Sequence, residues 1–187
     1  MKTLLLSLFL ALSMLFPFHE KVYSQAFMAD DGYVEFISRA PLLEFKGVSN
    51  NLTGLVDFDE NLVDFYVDLN TIDTGIERRN RDMRNSYLKT DKFPFAEFTG
   101  SFTGSVDPGF SGKKDVLVTG TFKIHGVERN IQVEGTIEKK DSGLQVEASW
   151  TILLEDYNID RPRVLFYELA DEQKVNISIL LRETDPS

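Results

Sequence analysis

The chain lacks cysteine altogether, and its 187 residues include only 2 histidines. Without cysteine the protein forms no disulfide and has no thiol chemistry, so packing alone must hold an exported domain together. One histidine, His19, lies in an N-terminal apolar segment, which leaves His125 as the only imidazole of the remaining chain. His125 precedes Gly126 in a pair typical of a hairpin turn. We therefore predict no catalytic residues, no metal site and no cofactor.

Positive charge is also scarce, because 20 lysines and arginines stand against 30 aspartates and glutamates, a net charge of −10. An acidic surface repels the phosphate backbone, so nucleic acid is excluded as a partner. An apolar content of 42% is ordinary for a globular protein, and the length suits one domain with a single core. Nothing in the sequence indicates an oligomeric state.

No apolar run is long enough to cross a bilayer, which takes about 20 residues. The longest one, residues 4–16, follows a single lysine and is ended by a proline. This pattern is typical of a secretory signal peptide, and the small residues Ser24 and Ala26 stand where a signal peptidase cleaves. We predict that residues 1–26 are a cleaved signal peptide and residues 27–187 a periplasmic or secreted domain. An uncleaved membrane anchor is the alternative.

Beyond this leader, apolar and polar residues alternate with period two, as in strands with one buried and one solvated face. In one example Val63, Phe65 and Val67 face one way, while Asp64 and Tyr66 face the other. The pattern predicts eight main strands and a short extra one. The main strands lie near residues 42–47, 51–58, 62–70, 95–104, 115–125, 129–139, 144–155 and 174–182, and the extra one near 33–38.

A sheet of eight long strands, each with one apolar face, buries those faces when it closes into a barrel, and closure also removes the exposed edges. We predict an all-β protein, an eight-stranded extended antiparallel barrel, with a two-sheet sandwich as the alternative. Two inserts, residues 71–93 and 156–172, interrupt the meander, and we expect both to border an opening. The first contains a short helix near residues 76–90, which Pro94 ends.

This helical insert carries six positive charges between residues 78 and 92. Its Arg81-Asp82 pair, its Tyr87-Leu88 pair and the run from Lys92 to Phe98 resemble the signature of the YceI-like family in order and spacing. The segment from Gly120 to Val127 resembles that family's strand, tight turn and return strand. Asn158 stands where the family has a glycine, a position at which asparagine also adopts a left-handed turn.

The resemblance implies an extended lipocalin-like barrel that encloses a polyisoprenoid or isoprenoid quinone, as carrier or reservoir. Such a role also implies transient contact with a membrane for cargo exchange. An apolar tunnel suits a long chain, because each buried CH₂ contributes about 0.8 kcal/mol. The candidate lining residues are Phe45, Phe65, Val67, Phe98, Phe102, Phe122, Val133, Trp150 and Ile152.

Glycines recur on the apolar register at positions 54, 100, 120 and 135. Inward glycines either permit the strands to kink and coil into a barrel, or leave an unfilled slot beside the aromatic rings. The two interpretations are compatible, because a kink that widens the barrel also enlarges the slot.

The arginines of the insert are candidates for binding an anionic head group, because guanidinium groups match phosphate geometry. At helical spacing Arg78, Arg81 and Arg84 share one face, which predicts a head-group site at the barrel mouth. The alternatives are a solvated helix whose arginines pair with nearby carboxylates, and a structural tether formed by Arg81 and Asp82.

We therefore predict an exported, non-enzymatic barrel that binds a long isoprenoid. The alternatives are a protein-interaction barrel without a ligand and, more distantly, a lipid hydrolase.

Overall fold

A computed structural model describes residues 25–40, 43–161, 163–164, 167–168 and 170–184. The predicted leader lies outside this part of the chain except for Gln25 and Ala26. Ala26 is the first residue of the first strand, and its carbonyl oxygen accepts a hydrogen bond of 2.9 Å from the backbone N–H of Thr184.

The fold is a closed antiparallel barrel, which confirms the predicted architecture. The strands are β1 (Ala26–Ala40), β2 (Leu43–Asp57), β3 (Leu62–Asp68), β4 (Phe95–Phe102), β5 (Lys113–Ile124), β6 (Val127–Lys140), β7 (Gly143–Leu153), β8 (Arg163–Val164), β9 (Tyr167–Glu168) and β10 (Glu172–Glu183). The barrel has the strand order β1-β10-β7-β6-β5-β4-β3-β2, and a separate two-stranded sheet pairs β8 with β9. Along β3 buried residues alternate with more exposed ones, as the sequence pattern predicts.

The first two barrel strands differ from the prediction. The segments expected as separate strands at 42–47 and 51–58 form the single strand β2, and the expected extra strand at 33–38 is part of the full-length β1. The barrel has eight strands, as predicted, but two of them cover different segments of the chain from those predicted.

A β-bulge explains this error. The register between β1 and β2 pairs Gly32 with Leu52 but Val34 with Ser49, so β2 accommodates one extra residue. The polar run Ser49-Asn50-Asn51 fills the bulge, and the Ser49 hydroxyl accepts a hydrogen bond of 3.1 Å from the backbone N–H of Asn51. A polar run typical of a turn thus lies inside a continuous strand.

One end of the barrel is packed solid. Leu144 and Leu181 are completely buried there, and the rings of Phe58 and Phe102 stack with centroids 5.7 Å apart. Phe110, from the loop between β4 and β5, approaches Phe58 edge-on with centroids 6.4 Å apart. Burying each of these side chains stabilises the fold by about 1.5 to 3 kcal/mol, and together they close this end.

Both inserts lie at the opposite end. The first contains a 3₁₀ turn (Leu69–Thr71), the helix α1 (Glu77–Asp82) and a π-helical segment (Met83–Leu88), which confirms the predicted helical insert. The second begins with the 3₁₀ turn Glu155–Tyr157 and includes the sheet of β8 and β9.

Asparagine and histidine adopt left-handed backbone conformations at two turns of this end. Asn158 has φ 53° and ψ 37°, as expected for a residue that replaces glycine. His125 and Gly126 have φ angles of 54° and 74°, so they form the predicted tight hairpin turn between β5 and β6.

Neighbouring strands separate at the same end. The pairing of β6 with β7 stops at Gly135 and Ala148. Beyond this point the first part of β6 and the last part of β7 are not hydrogen-bonded to each other. Tyr157 lies close by, and its ring packs edge-on against Phe122 with centroids 5.5 Å apart. The barrel is therefore wider beneath the inserts than at its closed end.

Candidate functional site

The interior of the barrel contains a cavity of about 570 Å³ beneath the inserts. Along β4 it extends from Ala96 to Phe102, a length of about 20 Å at the usual rise of a strand. A volume of this size is typical of pockets for small organic ligands. The cavity is therefore long, narrow and parallel to the strands.

Every residue predicted as apolar lining borders this cavity: Phe45, Phe65, Val67, Phe98, Phe102, Phe122, Val133, Trp150 and Ile152. They come from six of the barrel strands, and the period-two alternation turns each of them inward. The prediction omitted the lining residues of β1, among them Val34 and Phe36, because it treated that segment as peripheral.

The inward glycines act mainly by close packing. Gly100 pairs directly with Gly120, and a Cβ atom on Gly120 would lie 2.6 Å from the Cα of Gly100. A Cβ atom on Gly135 would lie 2.8 Å from the carbonyl oxygen of Glu147, although Gly135 does border the cavity. The interpretation as a slot is therefore wrong for Gly120, where no free space remains. The cavity exists for other reasons, chiefly the separation of the strands.

The helical insert roofs the cavity. Ile76, Met83, Tyr87 and Leu88 line it from above, and Met83 is buried. Ile76 is 50% exposed, so the roof presents apolar surface to solvent beside the cavity. The guanidinium carbon of Arg79 lies 4.1 Å from the ring centroid of Phe45, a cation–π contact that closes the roof onto β2.

The structure does not bring the three predicted head-group arginines together. Arg78 borders the cavity, and its Nε lies 3.8 Å from the carboxylate of Asp82. Arg81 instead lies 3.8 Å from Glu77, an exposed pair worth at most about 1 kcal/mol. Arg84 is half-buried and donates a hydrogen bond of 3.1 Å to the carbonyl oxygen of Ile72. Sequence spacing missed Arg79, which does border the cavity.

Asn80 holds the insert in its roofing position. Its Oδ1 accepts hydrogen bonds from the backbone N–H and the hydroxyl of Thr74, at 2.8 and 2.6 Å. Its Nδ2 donates to a carboxylate oxygen of Asp73 at 2.7 Å, and the backbone of Asp73 bridges to Val48 of β2 at 2.9 Å in both directions. The side-chain hydrogen bond from Asn80, followed by the backbone N–H of Gly75, lowers the pKa of Asp73.

Two buried polar side chains that are absent from the predicted lining also border the cavity. Ser38 and Gln173 are 1% and 5% exposed, and they face each other across β1 and β10. Trp150, predicted as apolar lining, adds an indole N–H to the same wall. The signal that identifies Ser38 and Gln173 is their position on the inward register of strands that are otherwise apolar.

His125 lies beneath the inserts, where it is 8% exposed. Its Nδ1 lies 3.0 Å from the carbonyl oxygen of Tyr157, so the proton must be on Nδ1. His125 therefore ties the β5–β6 turn to the second insert, and it does not border the cavity.

Among the described residues, no helix combines the length and the apolar character needed to span a membrane.

Comparison with known structures identifies the same barrel in proteins of low sequence identity. A polyisoprenoid-binding domain from Saccharophagus degradans, implicated in plant cell wall breakdown, has a TM-score of 0.69 and 19% identity, with 86% of this chain and 99% of that chain covered. BcnA of Burkholderia cenocepacia has a TM-score of 0.67 and 17% identity, covering 79% and 94%. The YceI protein of Campylobacter jejuni has a TM-score of 0.60 and 19% identity, covering 74% and 85%. At these identities the likenesses establish the fold alone.

A comparison with curated proteins gives no significant match. The family comparison is decisive, because the model of the YceI-like domain matches residues 29–181, which span the barrel from β1 to β10. The chain therefore belongs to the YceI-like family.

Proposed function

We propose that the protein binds one long isoprenoid chain inside its barrel and acts as a carrier or reservoir for it. The observation that carries this proposal is the cavity of about 570 Å³, lined almost entirely by apolar side chains and roofed by the helical insert. The polyisoprenoid-binding domain of Saccharophagus degradans, which has the same fold, supports an isoprenoid as the ligand class.

A long apolar tail fits this cavity because it needs contact area and very few hydrogen bonds. Each buried CH₂ contributes about 0.8 kcal/mol, so affinity grows with the length of tail that the barrel encloses. The aromatic rings of Phe65, Phe98 and Phe122 supply much of the wall. A barrel packed solid as an interaction module is not favoured, because its wide end is hollow.

The insert is the proposed entrance. Ile76 is half-exposed and continuous with the cavity lining, and Arg78 and Arg79 border the cavity beside it. An apolar residue next to basic groups suits transient contact with a membrane that holds the lipid, since lipid surfaces are apolar and anionic. Of the predicted head-group residues, Arg78 remains a proposal at the mouth, together with Arg79, whereas Arg84 is engaged with the backbone.

Export is part of the proposal and rests on the leader pattern of residues 1–26. A periplasmic or secreted lipid carrier needs a shielded apolar compartment, which the barrel supplies. The proposed role is binding and not catalysis.

The test is mass spectrometry of an organic extract of the protein, expressed with its leader and purified from the exported fraction. We expect one long-chain isoprenoid per protein molecule. In Val133→Trp the new ring fills the cavity, so the extract should contain little lipid, whereas Gln132→Trp places the same ring on the outer face of β6 and should retain it. An extract without lipid from the unaltered protein, or equal lipid in both variants, would contradict the proposal.

A further inference from the structure

Two rows of cross-strand neighbours line the part of the cavity nearest the inserts. In the first row Ser38 lies opposite both Phe45 and Gln173, and Gln173 lies opposite Ile152. In the next row Val175 lies opposite Trp150, so Gln173 and Trp150 are diagonal neighbours, about 7 to 8 Å apart. The polar groups of Ser38 and Trp150 therefore lie at separate points of the wall, two strands and one row apart, and the Trp150 ring packs edge-on against Phe122 with centroids 6.0 Å apart.

Two of these polar groups have no hydrogen-bond partner in the part of the chain that the structure describes. They are the hydroxyl oxygen of Ser38 and the indole nitrogen of Trp150, and both atoms are buried. An unpartnered buried polar group costs about 1 to 3 kcal/mol, so alanine and phenylalanine would serve better if the cavity held only hydrocarbon. The third group, the Gln173 amide, donates a hydrogen bond of 2.8 Å to the carbonyl oxygen of Ala170.

The hydrogen-bonding capacity of the two unpartnered groups determines which ligand groups would bind them. The indole N–H of Trp150 is a donor only, and the Ser38 hydroxyl is able to donate. A ligand that satisfies both must therefore present an acceptor oxygen to each donor.

The surroundings also specify the charge of these acceptors. The residues that share the two rows with Ser38 and Trp150 are Phe45, Gln173, Ile152, Gly47, Phe36 and Val175, none of which is charged. A buried phosphate would require a cation at this depth, since an unpaired charge in an apolar site is costly. Arg79 contacts Phe45 of the first row from outside, with its guanidinium on the roof.

We infer that Ser38 and Trp150 each bind an uncharged acceptor oxygen of the ligand, such as the two carbonyls of a prenylated quinone, while the tail extends toward the closed end. This inference rests on the proposed function, because it assigns the polar end of the lipid that the barrel encloses. It also separates a neutral head group inside the barrel from an anionic one held by the arginines at the mouth.

The experiment compares three ligands with the same prenyl tail: a benzoquinone, a hydrocarbon without oxygen and a pyrophosphate. Each is radiolabelled, and its transfer from phosphatidylcholine vesicles to delipidated protein gives a dissociation constant. We expect Ser38→Ala and Trp150→Phe each to weaken quinone binding about fivefold to tenfold, the equivalent of one hydrogen bond. Hydrocarbon binding should stay within about twofold, because neither variant removes a hydrogen bond that this ligand makes.

Ser49→Ala is the matched control. Ser49 is also buried, at 3% exposure, but its hydroxyl lies 2.6 Å from that of Thr71 and it does not border the cavity. This variant should lower stability and leave the quinone-to-hydrocarbon ratio unchanged. Ser38→Ala should not lower the melting temperature of the ligand-free protein, because it removes an unpartnered hydroxyl.

Equal losses for quinone and hydrocarbon, or no loss for either, would overturn the inference while leaving the proposed function intact. Stronger binding of the pyrophosphate than of the quinone would also overturn it, in favour of the arginines. Failure of the unaltered protein to bind any of the three ligands would contradict the proposed function and the inference together.

Discussion

Asn80 illustrates how one buried side chain positions the roof of the cavity. It is 5% exposed and forms hydrogen bonds with both Thr74 and Asp73, so it fixes the segment that precedes α1. Asn80 bonds within the insert, and the backbone of its partner Asp73 bridges to Val48 of β2, so the position of the roof depends on this network.

Asn80→Ala should therefore lower the free energy of unfolding by about 1 to 3 kcal/mol, since the backbone N–H of Thr74 loses its acceptor. Urea denaturation measures the loss. Asn85→Ala is the control, because Asn85 is exposed on the same insert and should change stability by less than about 0.5 kcal/mol. A loss in Asn80→Ala no larger than in the control would show that the network does not support the roof.

At the scale of single residues, the sequence predicts the apolar lining better than the polar groups. Phe98 and Val133 were identified because period-two alternation determines which side chains face inward. Ser38 and Gln173 were missed because they lie at or beyond the ends of the strands predicted near 33–38 and 174–182, although both are inside the observed β1 and β10. Arg84 was misplaced because helical spacing shows which residues share a face but not which neighbour that face contacts.

The pairing of β4 with β5 contains two facing glycines, Gly100 and Gly120, that leave no room for a Cβ atom. A Cβ atom on Gly120 would contact the backbone oxygen of Thr99, which has no freedom to move. A Cβ atom on Gly54 would instead contact the ring of Phe65, which borders the cavity and is able to rotate into it.

Gly120→Ala should consequently lower the free energy of unfolding by about 1 to 3 kcal/mol through overpacking. Gly54→Ala should cost less and should reduce ligand binding instead, because the displaced Phe65 ring occupies cavity volume. Denaturation and lipid-transfer measurements on both variants test this contrast. Equal stability losses, with no effect of Gly54→Ala on binding, would contradict it.

The insert as an element should respond to acid. The hydrogen bond from Asn80 keeps the pKa of Asp73 below its ordinary value in the folded protein. A carboxylate with a depressed folded pKa stabilises the fold above its unfolded pKa, and this contribution disappears as pH falls through the folded pKa. Below about pH 4 the insert should therefore loosen.

Hydrogen exchange of the amides in Glu77–Asp82, corrected for the intrinsic pH dependence of exchange, measures this loosening. We expect faster exchange at pH 3 than at pH 6 relative to the strands. In Asp73→Asn the difference should largely disappear. A roof whose protection is the same at both pH values in the unaltered protein would show that Asp73 does not control it.

The element boundaries show where sequence reasoning fails. The turn at His125 and the helical insert were predicted because glycine, proline and charge mark them locally. The continuity of β2 was not predicted, because Ser49 and the two asparagines after it resemble a turn and their role in a bulge depends on the pairing with β1. Bulges arise from the register between two strands, which one segment of sequence does not contain.

For the whole molecule, the division into a solid end and a hollow end connects fold to function. Leu144, Leu181 and the stacked ring of Phe58 close one end, which supplies the stability that a domain without disulfides requires. The other end has strands that separate and a roof held by few contacts. The cavity extends from the roof to Phe102, so the ring of Phe102 is shared by the cavity wall and the packed end.

Trp150 makes the cavity directly observable. It is the only tryptophan of the chain, and it borders the cavity. Its fluorescence therefore reports on the cavity alone, without a signal from elsewhere in the protein.

The most direct test of an apolar cavity that encloses a long chain is a titration of delipidated protein with prenyl alcohols of increasing length, followed by Trp150 emission. We predict saturable binding of one chain per protein, with affinity rising about fourfold for each further CH₂ buried, until the tail fills the roughly 20 Å cavity and the increase stops. An emission spectrum that does not change with any chain, or an affinity independent of chain length, would contradict the account.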